Sequence, residues 1–223
     1  FKLIVLIHDV FPENYIRTTK SSVKKLIISP LVYFFNIAYS NASYLIVIGR
    51  DMKEIISQKV YTKKVVIKYI PNFIDFNDIK ITTDYFGSKN DKNLTLNFFG
   101  NLGVVQGIEN LLEAISLVNN QNICFNFIGN CLSEKLISNF IIENPHIDIN
   151  LLSNLSFERN NQMLHTGDIA IISLSKGMKG LAVPSKTYFS IAANKPILAI
   201  ADVGSELDLF VNENKGIGWF CEA

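Results

Sequence analysis

Three glycine-bearing segments hold the residues whose types and spacing suit chemistry. In Leu96-Asn-Phe-Phe-Gly-Asn-Leu-Gly-Val-Val-Gln-Gly-Ile-Glu-Asn110, an expected strand ends at Phe99 and an expected helix opens near Ile108. Gly100, Gly103 and Gly107 let the backbone between them turn tightly and come close to a ligand. Free amides at that helix start, aided by the helix dipole, suit a diphosphate, with Asn101 and Gln106 in the same turn. The second segment runs from Gly180 to Pro196, where Pro184 and Ser185 read as a helix entry with Ser185 as the cap. Lys186 then falls in the first helical turn, where a cation is unfavourable against the dipole unless an anion is near; it is a candidate phosphate ligand, against the alternative of a solvated lysine. The third, Ile200-Ala-Asp-Val-Gly-Ser-Glu-Leu-Asp208, bends at Gly204, followed by Ser205 and Glu206. A carboxylate there accepts two hydrogen bonds from a ribose diol, although Glu is also simply favourable in a first helical turn.

The elements that must position these turns alternate. Short apolar runs at Leu3–Ile7, Tyr44–Ile48, Val65–Ile70, Leu94–Phe99, Ile123–Ile128, Ile169–Ser173 and Pro196–Ile200 are each followed by a helical pattern. Such alternation predicts parallel, doubly wound α/β architecture. Helices are expected near Lys20–Ser40, Asp51–Lys59, Ile108–Val118, Ser133–Glu143, Phe157–His165, Ser185–Ala193 and Ser205–Val211. All three glycine turns then fall at carboxyl ends of strands in one domain, where open parallel sheets bind ligands. A proline after Tyr69-Ile and a polar stretch before Asn93 mark the best boundary, giving domains at 1–71 and 93–223 with a linker at 72–92.

Composition narrows the function classes. The 223 residues are 48% hydrophobic and 18% charged, an ordinary globular balance. A formal charge of +1 and the lack of arginine clusters interleaved with aromatics argue against nucleic acid as a partner. Cys124, Cys131 and Cys221 lie in no metal-ligand spacing and read as reduced, buried thiols of a cytoplasmic protein. His146 and His165 lack ligand-spaced partners and read as structural. No apolar run is long enough to span a bilayer. Leu26 to Tyr39 comes nearest; it reads either as a core helix or, following Lys20, Lys24 and Lys25, as a segment resting on an anionic membrane surface. Phe1 opens directly on a strand pattern, so the chain is expected to be truncated.

Taken together, the motifs resemble a known family. Ile70-Pro-Asn-Phe-Ile-Asp75 is similar to the "I-P-N-G-V-D" junction of family 4 glycosyltransferases. Gly100-Asn-Leu-Gly103 with Gln106-Gly107, Val183-Pro-Ser-Lys-Thr-Tyr188 and Gly204-Ser-Glu206 resemble that family's donor-site segments. His8-Asp-Val-Phe-Pro-Glu13 resembles the "D-x-W-P-E" of a branch that includes fucosamine transferases of bacterial O-antigen (lipopolysaccharide) and capsule assembly. The resemblance covers nearly the whole chain.

It implies a GT-B fold: a partial acceptor-side Rossmann-like domain followed by most of a donor-binding one, truncated at its carboxyl end. It implies retaining transfer from a nucleotide-sugar donor, of the UDP-N-acetylated kind, to a lipid-linked or glycan acceptor, on the inner face of the bacterial plasma membrane. His8 and Asp9 stand where some family members place a catalytic histidine, with Lys186 as the surviving cation. The family's Arg and Lys after the first donor-site strand are replaced around Asn101, Leu102 and Gln106, and Leu181 and Phe189 stand where two glutamates are usual. No D-x-D pair is present, which predicts no divalent-metal cofactor. A UDP-sugar 2-epimerase of the same fold, and a non-catalytic nucleotide-sugar-binding remnant, are the competing readings.

Overall fold

The structure is a computed structural model that describes residues 2–74, 93–129, 133–153 and 162–223. The expected linker over 72–92, most of the helix expected at Phe157–His165, and Cys131 lie outside these residues. The chain forms two compact units. One comprises Phe1–Asn72, Lys176–Val183 and Ala201–Phe210; the other comprises Phe73–Ser175, Pro184–Ile200 and Val211–Ala223.

The first unit is built on three parallel strands in the order β1 (Ile4–Ile7), β2 (Tyr44–Val47), β3 (Val66–Tyr69), with Ile7 paired to Val47 and Val47 to Tyr69. The helices are α1 (Glu13–Thr18), α2 (Ser22–Ile28), α3 (Leu31–Ser40) and α4 (Arg50–Lys59). Leu45, Val47, Met52, Ile56 and Met178 are fully buried together with Val10, so segment 176–183 contributes to this core. The single helix expected over Lys20–Ser40 is two helices, because Pro30 has no N–H to continue α2 and instead caps the start of α3. The core-helix reading of that segment also fails: α2 buries no residue and α3 buries only Tyr39. Lys59, buried at the end of α4, donates to Glu13 and, at 3.0 Å, to Asn36 Oδ1, tying the start of α1 to α3 and α4. Burial, with the Glu13 charge as the smaller cause, pushes the Tyr39 hydroxyl up to about 12.

The second unit carries six strands in the order β6 (Asp148–Leu152), β5 (Ile123–Ile128), β4 (Leu94–Phe99), β7 (Ile169–Ser173), β8 (Ile197–Ala201), β9 (Gly218–Glu222). The helices are α5 (Ile108–Ser116), α6 (Glu134–Glu143), α7 (Lys186–Ala192) and α8 (Glu206–Glu213), the last beginning within the first unit. The apolar stripe Ile108, Leu111, Leu112, Ile115 packs on Leu96, Phe98, Phe125, Phe127 and Ile171 of the sheet. A row of asparagines crosses three strands in register: Asn150 donates to Asn126 at 3.0 Å, Asn126 to Asn97 at 2.8 Å, and Asn97 to the Thr166 carbonyl at 2.9 Å. Two thiol expectations are revised. Cys221 is exposed on β9, a strand with an open face, and Cys124 is only half-buried, though desolvation and the neighbouring Asp148 push its thiol up to about 11.

Candidate functional site

In the second unit, the carboxyl ends of β4 and β5 meet backbone to backbone. Gly100 N donates to the Ile128 carbonyl at 3.0 Å, and a Cβ on Gly129 would lie 2.3 Å from the Gly100 oxygen. Only glycine fits at position 129, where the two strand ends come together. Beyond it Asn101 is exposed while Leu102 and Gly103 are buried, and Val104–Gln106 form a single 3-10 turn. The end of β7 clasps that turn: Ser175 N donates to the Val105 carbonyl at 2.8 Å, and the hydroxyls of Ser173 and Ser175 reach the Gln106 and Val104 carbonyls. Gly107, at φ 66°, then opens α5 in a left-handed conformation that L side chains rarely adopt. Gly100, Gly103, Gln106 and Gly107 therefore form one rigid corner.

Lys186 is the first residue of α7. Ser185 stands at the cap position, but it has helical backbone angles and its side chain makes no capping hydrogen bond, so the expected cap is not formed. Burial lowers the Lys186 ammonium below the ordinary lysine range. Its Nζ lies over the Phe189 ring, 5.2 Å from the centroid, and among the described residues it has no ion pair. Phe189 stands where the resemblance would put a carboxylate; an aromatic face attracts the cation without neutralising it.

The third turn belongs to the first unit, so the three turns are not assembled within one unit as expected. Gly204, at φ 73°, makes the bend. Ser205 Oγ accepts from the Asp208 N–H at 3.3 Å while Asp208 accepts from the Gly204 N–H at 2.7 Å, a reciprocal cap for α8. Glu206, 2% exposed, faces neighbours within this unit rather than solvent. Its Oε2 accepts from Arg50 N at 2.6 Å and Arg50 Nε at 3.1 Å, and its Oε1 from Arg50 Nη2 at 3.1 Å and the Tyr69 hydroxyl at 2.8 Å. A carboxylate offers about four acceptor positions. A ribose diol would thus have to displace Arg50 or Tyr69.

Beside this pair lies a second carboxylate that sequence reasoning passed over. Asp51 is buried at the start of α4 and accepts from Met52 N at 2.8 Å, Gly180 N at 2.8 Å and Glu206 N at 3.1 Å. Desolvation raises its carboxyl above the usual range; the three amides act against that shift and the Glu206 charge adds to it. Asp202 holds the 176–180 loop in the same manner, accepting from Gly177 N and, at 2.9 Å, from Lys179 N. Arg50 was findable: like Lys186 it is a cation in a first helical turn, which calls for a nearby anion.

His8 and Asp9 follow β1 in the first unit. Asp9 forms an antiparallel bridge with Ala182, and Val10 N donates to the Leu181 carbonyl at 2.8 Å. Desolvation raises the Asp9 carboxyl, with His8 pulling the other way. His8 is exposed. Among the described residues no group of three or more His, Cys, Asp or Glu side chains is placed to hold a metal ion, and no helix is long and apolar enough to cross a membrane.

No family model matches the chain. It is 35% identical over 226 residues to the Pseudomonas aeruginosa protein named "Probable glycosyltransferase WbjE", covering 99% of this chain and 56% of that protein. The chain thus spans little more than half the length of that curated relative. Among solved structures it is similar to Anabaena HepE in complex with UDP and glucose, with a TM-score of 0.71 and 15% identity over 99% of this chain and 58% of HepE. It is also similar to WaaG, a glycosyltransferase involved in lipopolysaccharide biosynthesis, with a TM-score of 0.73 and 11% identity over 98% of this chain and 61% of WaaG. Parallel sheets, glycine-lined strand ends and these likenesses together give the chain the α/β fold of GT-B glycosyltransferase structures.

Proposed function

We propose that the protein is a retaining glycosyltransferase, of the family 4 kind and its fucosamine-transferase-like branch. It moves a UDP-linked N-acetylated sugar to a lipid-linked or glycan acceptor in surface polysaccharide synthesis. The observation that carries the reading is Lys186, a cation whose charge burial disfavours and which has no ion pair among the described residues. Breaking a glycosyl–diphosphate bond develops negative charge on the leaving phosphate, and a preorganised cation with backbone amides stabilises it. Gly100, Asn101, Gly103 and Gln106 supply the turn for the diphosphate, with Ser185 and Lys186 at the start of α7. Gly204, Ser205 and Glu206, with Arg50 bound to Glu206, are assigned to recognition of the nucleoside, and His8 and Asp9 to the acceptor.

Likeness to a named glycosyltransferase along 99% of the chain supports this chemistry, as do solved neighbours that hold UDP and UDP-glucose. Domains at 1–71 and 93–223, with the protein on the inner face of the bacterial plasma membrane, belong to the same reading. The test is calorimetry of the intact protein against UDP, GDP and their sugars. Binding of UDP that weakens at least about tenfold in Lys186→Met is the expected result, since a lost charged hydrogen bond is worth roughly 1.5–3 kcal/mol. Binding of neither nucleotide overturns the donor site.

A further inference from the structure

We infer that α2 and the start of α3 form a docking surface for an anionic lipid bilayer. The inference deepens the proposed transfer to a lipid-linked acceptor and rests on that reading. Every residue from Ser22 to Ile27 is exposed, so α2 contributes nothing to the core of its unit. Val23, Leu26 and Ile27 are 67%, 75% and 69% exposed, and their spacing of three and four puts them on one face. After Pro30, Tyr33 and Phe34 of the first turn of α3 are also apolar and 60% and 62% exposed.

Charge names the occupant. Lys20, Lys24 and Lys25 are all exposed around this face, and between Glu13 and Asp51 the chain has no Asp or Glu. A protein partner is disfavoured because lysine is depleted at protein interfaces. A second copy would bring the same lysines face to face across a two-fold contact. Anionic headgroups attract them, while the aliphatic side chains enter the boundary between headgroups and acyl chains.

The experiment sediments the intact protein with vesicles of phosphatidylglycerol and phosphatidylcholine, or of phosphatidylcholine alone, at low and physiological salt. Binding to the anionic vesicles alone, weakening as salt rises, is expected. Lys24→Glu with Lys25→Glu should lower partitioning at least about tenfold. Leu26→Ser with Ile27→Ser should lower it at both salt concentrations. Hydrogen exchange of the unmutated protein needs no variant to fold: amides of residues 22–34 should slow only when anionic vesicles are present. Equal binding to both vesicles, variants that bind as before, slow exchange without vesicles, or self-association abolished by Leu26→Ser would each overturn the inference. Nucleotide calorimetry on the same samples separates the two readings. Vesicle failure with UDP binding intact removes the surface alone, and UDP failure with vesicle binding intact removes the donor site alone.

Discussion

Arg50 and Glu206, 156 positions apart in the chain, are joined side chain to side chain at two points, Nε to Oε2 and Nη2 to Oε1, each at 3.1 Å. A third bond, from the Arg50 amide, fixes the carboxylate against the start of α4. The Glu206 side chain is buried and that of Arg50 about one-third exposed.

Removing one partner therefore strands the other. Arg50→Met leaves a buried carboxylate with Tyr69 and one amide, and should lower unfolding stability by about 2–4 kcal/mol, toward the smaller end because Arg50 reaches solvent. Glu206→Gln should cost a similar amount. In urea denaturation the double variant should lose less than the sum of the two, since both act on one interaction.

On the proposed reading, in which Lys186 meets the donor diphosphate, nucleotide binding is a proton-linked event. The Lys186 ammonium is held below the ordinary value of 10.5 by desolvation, and a bound diphosphate favours the charged form. Between the lowered value and 10.5, binding should take up a proton, seen as a dependence of calorimetric enthalpy on buffer ionisation, and affinity should fall as pH rises. Lys186→Met should abolish both. For stability the sign runs the other way. Within that window the unfolded chain holds the proton that the folded chain has lost, so raising the pH stabilises the fold at this residue.

Asn97 is 1% exposed and uses its amide nitrogen on the Thr166 carbonyl and hydroxyl and its oxygen on Asn126. Asn126→Ala removes that oxygen's partner in the middle of the row. A loss of about 1–3 kcal/mol is expected by chemical denaturation. Asn150→Ala, at the exposed end, should cost less.

Gly129→Ala puts a methyl group 2.3 Å from the Gly100 carbonyl oxygen, at φ 135°. The ends of β4 and β5 must then separate. Both a lowered melting temperature and weaker UDP binding are expected, because the strained backbone is the one that shapes the turn proposed to hold the diphosphate. A variant that melts lower but binds UDP unchanged would dissociate this corner from the ligand.

Buried strands were legible where apolar residues run unbroken. Leu94–Phe99, Ile123–Ile128 and Ile169–Ser173 match β4, β5 and β7 end to end. β6 was missed because Asp148 and Asn150 interrupt its apolar pattern, and the cause emerges only across strands, where Asn150 completes the asparagine row. β9 was missed because its one fully apolar pair, Trp219 and Phe220, sits on an open, mostly exposed strand. α1 is short and polar, and carries none of the periodicity that marked α5. Of the candidate site, the glycine turns could be read because each needs a local backbone shape. Asp51 and Tyr69 could not, because their roles depend on meeting Glu206 from far along the chain, and Arg50 signalled only that an anion should be near. The Asp51 charge and the Tyr69 hydroxyl look like ordinary surface chemistry until Glu206 is in place.

The chain passes between the two units five times, after residues 72, 175, 183, 200 and 210. On the ribosome, Arg50 and Asp51 therefore emerge lacking the carboxylate and amides that satisfy them until Gly180 and then Glu206 have been synthesised. Completion of the first unit is thus expected to wait on residues well over a hundred positions further along the chain. A nascent chain arrested before Glu206 should stay sensitive to protease in β1 to β3, and one arrested far enough beyond it should not.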